Sequence, residues 1–257
     1  NTSDIPPYSE YDTVISTGEQ ITSALLAIAL EKISIKARSW LGWQIPIFTD
    51  KTYGKSLIEK IKTDNISKDL EVNQVAIVSG FQGVSSENRI TTLGRGGSDT
   101  TAVAMAASFS AVRCDIYTDV DGVYTTDPRI VKSAKKLDII TYEEMLELAS
   151  QGAKVLQARS VALAMKYGVN LRVLSSFEDL PGTSIVKEEK NMEKSEISGI
   201  AHSLNEAKIT LHGVPDQPGQ AADIFGTLAQ HSINVDMIVQ SSSINHEVTD
   251  ITFTIPA

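Results

Sequence analysis

Cysteine occurs once in these 257 residues, at Cys114, so an internal disulfide is excluded and a reducing compartment fits. Aromatic residues are only 6% of the chain, which leaves Ile, Leu, Val and Ala to fill the core. No long hydrophobic run exists: the longest purely apolar stretch, residues 24–30, is far too short to span a bilayer, and no signal peptide is evident. Positive charge is in deficit, with a formal net charge of -9, which argues against a nucleic-acid partner because backbone neutralisation needs clustered Lys and Arg. Histidine is absent from the first 201 residues, so Ser98 has no base to activate it as a hydrolase nucleophile; His202, His212, His231 and His246 show no metal-ligand spacing. Neither G-x-x-x-x-G-K-[ST] nor G-x-G-x-x-G is present, which removes a P-loop and a dinucleotide fingerprint.

What remains is 42% apolar and 21% charged, the balance of an ordinary globular protein. Strand and helix signals alternate through the first two thirds. The opening N-T-S-D-I-P-P-Y-S-E is polar and is read as starting no element. T-G-E-Q at 17–20 has the capping-box pattern, and Ile21, Ala24, Leu25 and Ile28 follow at helical spacing. Strands are expected over 74–79, 114–118 and 171–174, and helices after 97, over 142–150, and over 153–167 with Gly168 as terminator. Ala102, Met105, Ala106 and Phe109 fall on one face of the helix after 97. This alternation indicates an α/β domain with a mostly parallel sheet. Residues 187–196, K-E-E-K-N-M-E-K-S-E, read as a linker. Beyond it, strands over 208–214, 233–240 and 249–255 and an amphipathic helix over 220–231 give a β-α-β-β, ferredoxin-like order.

Two loops carry candidate chemistry. Gly94-Arg95-Gly96-Gly97-Ser98-Asp99 precedes a helix, where close backbone approach and free amides favour an anion and Arg95 offers a planar fork. A plain strand-to-helix turn explains the same spacing. Residues 117–129, Y-T-D-V-D-G-V-Y-T-T-D-P-R, follow a strand, and open α/β sheets bind ligands at such loops, though from the residues alone a surface connection rich in turn formers is the preferred reading. Glu19 in a first helical turn either offsets the helix dipole or receives an ammonium group, and Lys154, placed at the start of the 153–167 helix, opposes that dipole.

Taken together, S-T-G-E-Q at 16–20, G-F-Q-G at 80–83, T-T-L-G-R-G-G-S-D-T-T-A-V-A at 91–104, Y-T-D-V-D-G-V-Y-T-T-D-P-R-I-V at 117–131, L-R-V-L-S-S-F at 171–177, P-G-T at 181–183 and T-D-I-T-F-T at 249–254 resemble the aspartate kinases of the amino-acid kinase family. The resemblance implies a three-layer αβα fold over residues 1–186, a linker over 187–198 and a partial, ferredoxin-like ACT regulatory domain over 199–257. It implies transfer of the γ-phosphoryl group of ATP, carried with Mg²⁺ and with no separate protein-held metal, to L-aspartate in a cytoplasmic enzyme. It assigns Glu19 to the aspartate amino group and Arg95, Gly96, Gly97 and Ser98 to its carboxylate side. Thr118, Asp119, Tyr124, Asp127, Arg129 and Lys154 would line the nucleotide site. Asp216, Pro218, Gly219, Gln220, Ala221, Asn234, Asp236 and Gln240 would hold lysine or threonine as effector. A homo-oligomer through ACT domains, or association with a complete kinase subunit, is also implied. The family's K-F-G-G-T-S-like first strand has no counterpart here, and the chain reads as truncated at both ends. A noncatalytic, effector-binding chain is the alternative reading, and a kinase for acetylglutamate or a nucleotide a third.

Overall fold

The computed structural model describes residues 8–72, 74–153, 155–187, 199–202, 206–231, 233, 235, 237–242 and 248–256. The chain divides between residues 201 and 202 into two units. In the first, α1 (Tyr8–Ile15) runs almost directly into α2 (Thr17–Lys32). There follow β1 (Ala37–Trp40), β2 (Ile47–Thr49), β3 (Ile58–Ile61), α3 (Asp64–Glu71), β4 (Val75–Val78), β5 (Gln82–Val84), β6 (Ile90–Thr92) and α4 (Gly97–Ser108). The unit is completed by β7 (Cys114–Thr118), β8 (Ile139–Thr141), α5 (Tyr142–Ser150), α6 (Ala158–Tyr167), β9 (Leu171–Ser175) and β10 (Thr183–Val186). Parallel ladders join β1 to β4, β7 to β9, β8 to β10 and β2 to β5; antiparallel ladders join β9 to β10, β2 to β3 and β5 to β6. Among the described residues, the β1–β4 ladder is not hydrogen-bonded to the β7–β9–β10–β8 sheet.

Two apolar clusters fill this unit. One gathers Val103, Ile116, Val123, Ile140, Met145, Val161, Leu171 and Val173; the other gathers Trp40, Ile45, Ile47 and Ile66. Helix α4 serves both: Ala102, Ala106 and Ala107 pack on the first cluster, while Met105 and the capping Phe109 pack on the second. The single face expected for Ala102, Met105, Ala106 and Phe109 is therefore divided between two cores. Its many alanines are what allow close approach from both sides. Cys114 lies in the first cluster, and burial, with Asp115 and Asp99 nearby, pushes its thiol up to about 11.

Several expectations need correction. The polar opening does start an element, since α1 begins at Tyr8. T-G-E-Q makes no capping box: Ser16 N already donates to Asp12 O (3.1 Å), and the Thr17 hydroxyl donates back to Val14 O (2.7 Å). A helix that continues from upstream leaves no orphan amides for a cap to satisfy. The capping box forms at Thr141 and Glu144 instead, at the start of α5. Helix α6 begins at Ala158, capped by Gln157, five residues later than its apolar pattern predicts, and ends as expected at left-handed Gly168. Ile21, Leu25 and Ile28 of α2 are exposed, because the helix meets β1 and β4 through its small residues, of which Ser23 is buried. By length and composition alone Tyr8–Lys32 is long and apolar enough to cross a bilayer. Its buried Asp12 and its Ser23–Ser79 hydroxyl pair tie it to the sheet residues instead.

The second unit orders β11 (Glu206–Pro215), α7 (Gln220–Gln230), β12 (Ile238–Ser242) and β13 (Val248–Pro256) as an antiparallel sheet β11-β13-β12, with Phe225 of α7 edge-on to Phe253 at 5.4 Å. Strand β12 starts at Ile238 rather than 233. Apart from Lys187, the linker at 187–198 lies outside the described residues.

Asp115 and Arg172 face each other across β7 and β9, with Arg172 donating at 3.1 and 2.8 Å and Arg113 adding a bond at 2.9 Å. Burial alone would raise the Asp115 carboxyl, but the bonds from Arg172 and Arg113 hold it below its ordinary value. A depressed folded pKa contributes stability above the unfolded value and loses it as pH falls through the folded one. Asp115→Asn is therefore expected to cost about 0.5–1 kcal/mol at neutral pH. The gap from wild type should close as pH falls below about 4, read by urea denaturation at pH 7 and pH 3.

Candidate functional site

The site is organised by the residues that end β4. Ser79 is buried; its hydroxyl lies 2.8 Å from that of Ser23 and donates to the carbonyl of Glu19 at 3.3 Å. Buried Gln82 donates to Ser16 O (3.0 Å) and accepts from the Gln20 side chain (3.1 Å). These bonds fix the first turn of α2, and Glu19 with it, beside the G-F-Q-G segment. On the other side of that segment, a Cβ on Gly80 would stand 3.2 Å from Ser98 Cα. Glu19 thus borders Ser79 and Ser98 borders the next residue, Gly80. Phe81 is held at φ 67°, the left-handed region that a bulky residue rarely adopts. Its amide donates to Thr101 Oγ1 (3.1 Å), its carbonyl accepts from Leu93 N (2.9 Å), and its ring closes on Gly97.

The glycine loop turns through Gly94 and Gly96, both at positive φ, and delivers Gly97 as the first residue of α4. Arg95 and Ser98 are exposed. Gly96 has no room for a side chain: a Cβ there would lie 2.0 Å from Gln157 Cγ. The backbone N–H of Gln157 donates to the Asp99 carboxylate, which offsets part of the upward push that burial gives this acid. The starts of α4 and α6 are therefore locked together.

The second loop leaves β7 at Thr118. Thr118 Oγ1 donates to Asp119 (3.1 Å), and the Tyr124 hydroxyl donates to both Asp121 oxygens (3.0 and 3.2 Å), beside Lys136 at 3.6 Å. Burial and then that Asp121 bond push the Tyr124 phenol up. Arg129, 83% exposed, spends its fork on Asp127 at 3.0 and 2.7 Å, a pairing that raises its pKa. A bridge between Tyr124 and Lys136 closes the loop into a hairpin. No hydrogen bond or ion pair among the described residues joins residues 94–98 to 118–129. They are related through the core, where Val103 of α4 shares a cluster with Ile116 of β7 and with Val123, inside the second loop. Lys154 lies outside the described residues. No group of three His, Cys, Asp or Glu suited to a metal occurs among the described residues.

In the second unit, Asp216, Pro218, Gly219, Gln220, Ala221 and Gln240 line one cavity of about 340 Å³ at the start of α7. Gly219, at φ 102°, makes the turn into that helix. Asn234 and Asp236 lie outside the described residues. Sequence reasoning missed Ser79 and Gln82 as organisers of the first loop. The one signal available was a glutamine between two glycines at the end of an apolar strand.

Comparison with known proteins places these loops in context. The model described as "Amino acid kinase family" matches residues 3–175, and that described as "ACT domain" matches residues 209–257. The chain is 55% identical over 247 residues to an aspartate kinase of Pseudomonas fluorescens, covering 96% of this chain and 60% of that protein. Its fold superposes on E. coli aspartokinase III in complex with aspartate and ADP (R-state) with a TM-score of 0.84, at 31% identity, covering 99% of this chain and 57% of that one. For the same enzyme in complex with lysine and aspartate (T-state), the TM-score is 0.79 at 31% identity, covering 98% and 56%. The chain spans about 60% of the length of the curated relatives it matches.

The contact between Gly96 and Gln157 predicts that Gly96→Ala destabilises the fold by about 2 kcal/mol or more, from the left-handed backbone and the clash together. Adding Gln157→Gly, which removes the Cβ that would stand at 2.5 Å as well as the Cγ, should recover the clash but not the backbone cost. A double-mutant cycle in urea denaturation measures the coupling.

Proposed function

This chain belongs to the amino acid kinase family, and on that premise we propose that it is an aspartate kinase, transferring the γ-phosphoryl group of ATP to the side-chain carboxylate of L-aspartate. The observation that carries the proposal is the meeting of the Glu19 helix turn and the Arg95 glycine loop at residues 79 and 80. An amino-acid zwitterion needs one fixed anion and one fixed cation, and in this reading Glu19 and Arg95 supply them from the two elements that meet at residues 79 and 80. In this reading Glu19 receives the substrate ammonium group. Arg95 pairs with a carboxylate, and the amides of Gly96 and Ser98 add hydrogen bonds to it, while Gly97, whose own amide donates to Gly94 O (3.0 Å), shapes the turn beside them.

The reaction asks little of the protein in proton transfer. A carboxylate with a pKa of about 4 is already ionised at neutral pH and attacks phosphorus without a general base. The task is to align it and to neutralise charge as it approaches the phosphate. Thr118, Asp119, Tyr124, Asp127, Arg129 and Lys154 are proposed to hold the nucleotide at the neighbouring loop, with Mg²⁺ arriving on its phosphates, since that ion takes few protein ligands. Because Arg129 is already paired with Asp127, it would reach a phosphate only by exchanging that carboxylate for the new anion. The match to E. coli aspartokinase III with aspartate and ADP supports this reading.

The cavity of the second unit is proposed to take lysine or threonine. That lysine accompanies E. coli aspartokinase III in a matching structure supports the class of effector. Pairing of such units into a homo-oligomer, and a cytoplasmic setting, belong to the same proposal. A second reading is a noncatalytic chain that binds only the effector; its motive is that, among the described residues, the β1–β4 ladder is not hydrogen-bonded to the larger sheet.

Incubation with ATP, Mg²⁺, aspartate and hydroxylamine separates the two readings. Aspartyl hydroxamate should form, and Glu19→Gln should raise the aspartate KM at least ten-fold, with the ATP KM within two-fold. Absence of product, with heat released on titrating lysine or threonine, would leave the noncatalytic reading standing. In the same calorimetry, Gln240→Ala should weaken effector binding about ten-fold, roughly 1.4 kcal/mol.

A further inference from the structure

We propose that Asp12 and Arg159 act as a two-sided clamp on the strand-to-loop hinge at residues 92–94, and that this clamp positions Arg95 for the amino-acid substrate. The inference rests on the reading of residues 94–98 as the aspartate subsite. Asp12, on α1, is fully buried. Its Oδ2 accepts from the backbone N–H groups of Thr92 (2.8 Å) and Gly54 (3.0 Å), and its Oδ1 accepts from the Thr92 hydroxyl (2.8 Å). Arg159 is on α6. It donates one guanidinium N–H to the carbonyl of Leu93 and another to that of Ser56, both at 2.8 Å. Ser56 N in turn donates to Thr92 O at 2.9 Å, and a Cβ on Gly94 would sit 2.8 Å from Gly54 O.

The amide of Thr92 and the carbonyl of Leu93 are thus held by side chains of opposite charge, immediately before the loop that bears Arg95. Backbone groups leaving a strand lose their ladder partners and must find others. A neutral hydroxyl or amide would satisfy them at lower desolvation cost than a buried ion. Charged partners instead give shorter, stronger and more directional bonds. The planar fork of Arg159 reaches two carbonyls from separate segments, a geometry lysine does not reproduce. Burial lowers the Arg159 pKa while Asp50 raises it, and the group stays a cation. The result is a hinge fixed in both direction and height, so that Arg95, itself exposed, projects from an immobile base.

The test uses the protein at the full length its gene encodes. Arg159→Lys should raise the aspartate KM at least ten-fold, and Thr92→Val, which removes only the hydroxyl bond to Asp12, about three- to ten-fold. The ATP KM should stay within two-fold in both. Amide hydrogen exchange in the peptide covering residues 93–99 should quicken at least ten-fold in Arg159→Lys, with that over 114–118 unchanged. Parallel rises in both KM values, or unchanged exchange over 93–99, would overturn the clamp. If Arg159→Lys does not fold, Thr92→Val carries both measurements by itself. If the wild-type protein turns over no aspartate, the functional reading fails while the exchange result still decides the clamp.

Discussion

Helix α4 is the piece on which the first unit depends. Its alanines pack into the larger core, Met105 and Phe109 pack into the smaller, and its first turn is the end of the glycine loop. A helix anchored in two cores cannot rotate to improve one contact without losing the other. Its N-terminus is therefore held in place by packing far from any ligand. Backbone amides at a helix start can meet a ligand only where they are fixed before it arrives, and here methyl groups in the two cores share that fixing with the Asp12 and Arg159 bonds at residues 92 and 93.

Polar contacts then settle the details around that anchor. Ser79 and Gln82 bring the α2 turn to the glycine loop, and the fit of Gln157 against Gly96 brings α6 to it. The second loop is organised differently: its acids and bases pair mainly with one another, as Tyr124 does with Asp121 and Arg129 with Asp127. One loop is held by packing and by the Asp12 and Arg159 bonds at its base, the other by exchangeable ion pairs. An incoming polyanion can compete for the latter and not for the former, a division suited to one small fixed substrate and one large charged one.

Much of this was legible in the residues themselves. The strand at 114–118, the helix at 142–150 and the left-handed stop at Gly168 follow local rules of apolar spacing and glycine conformation, and the structure repeats them. The α/β architecture with a small β-rich unit behind it was legible too, from alternation and from the change of rhythm past residue 196. What failed depended on partners distant in sequence. T-G-E-Q resembles a helix start until the preceding residues prove helical. The apolar residues of α2 promise a buried face, yet the helix approaches its strands through smaller side chains. The glycine loop was visible as a motif, whereas Ser79, Gln82 and Arg159 acquire meaning only when residues some 60 or more positions away are placed beside them.

The lone thiol has a practical consequence. Cys114 sits in the core at the start of β7 with its pKa pushed up to about 11. At neutral pH only about one molecule in ten thousand then carries the reactive thiolate, and the sulfur is shielded besides. Alkylating reagents should leave the native protein untouched and capture it only when the larger core opens. The chain carries its own built-in probe of that opening, one thiol with no other thiol competing for the reagent, readable by mass on an unlabelled sample.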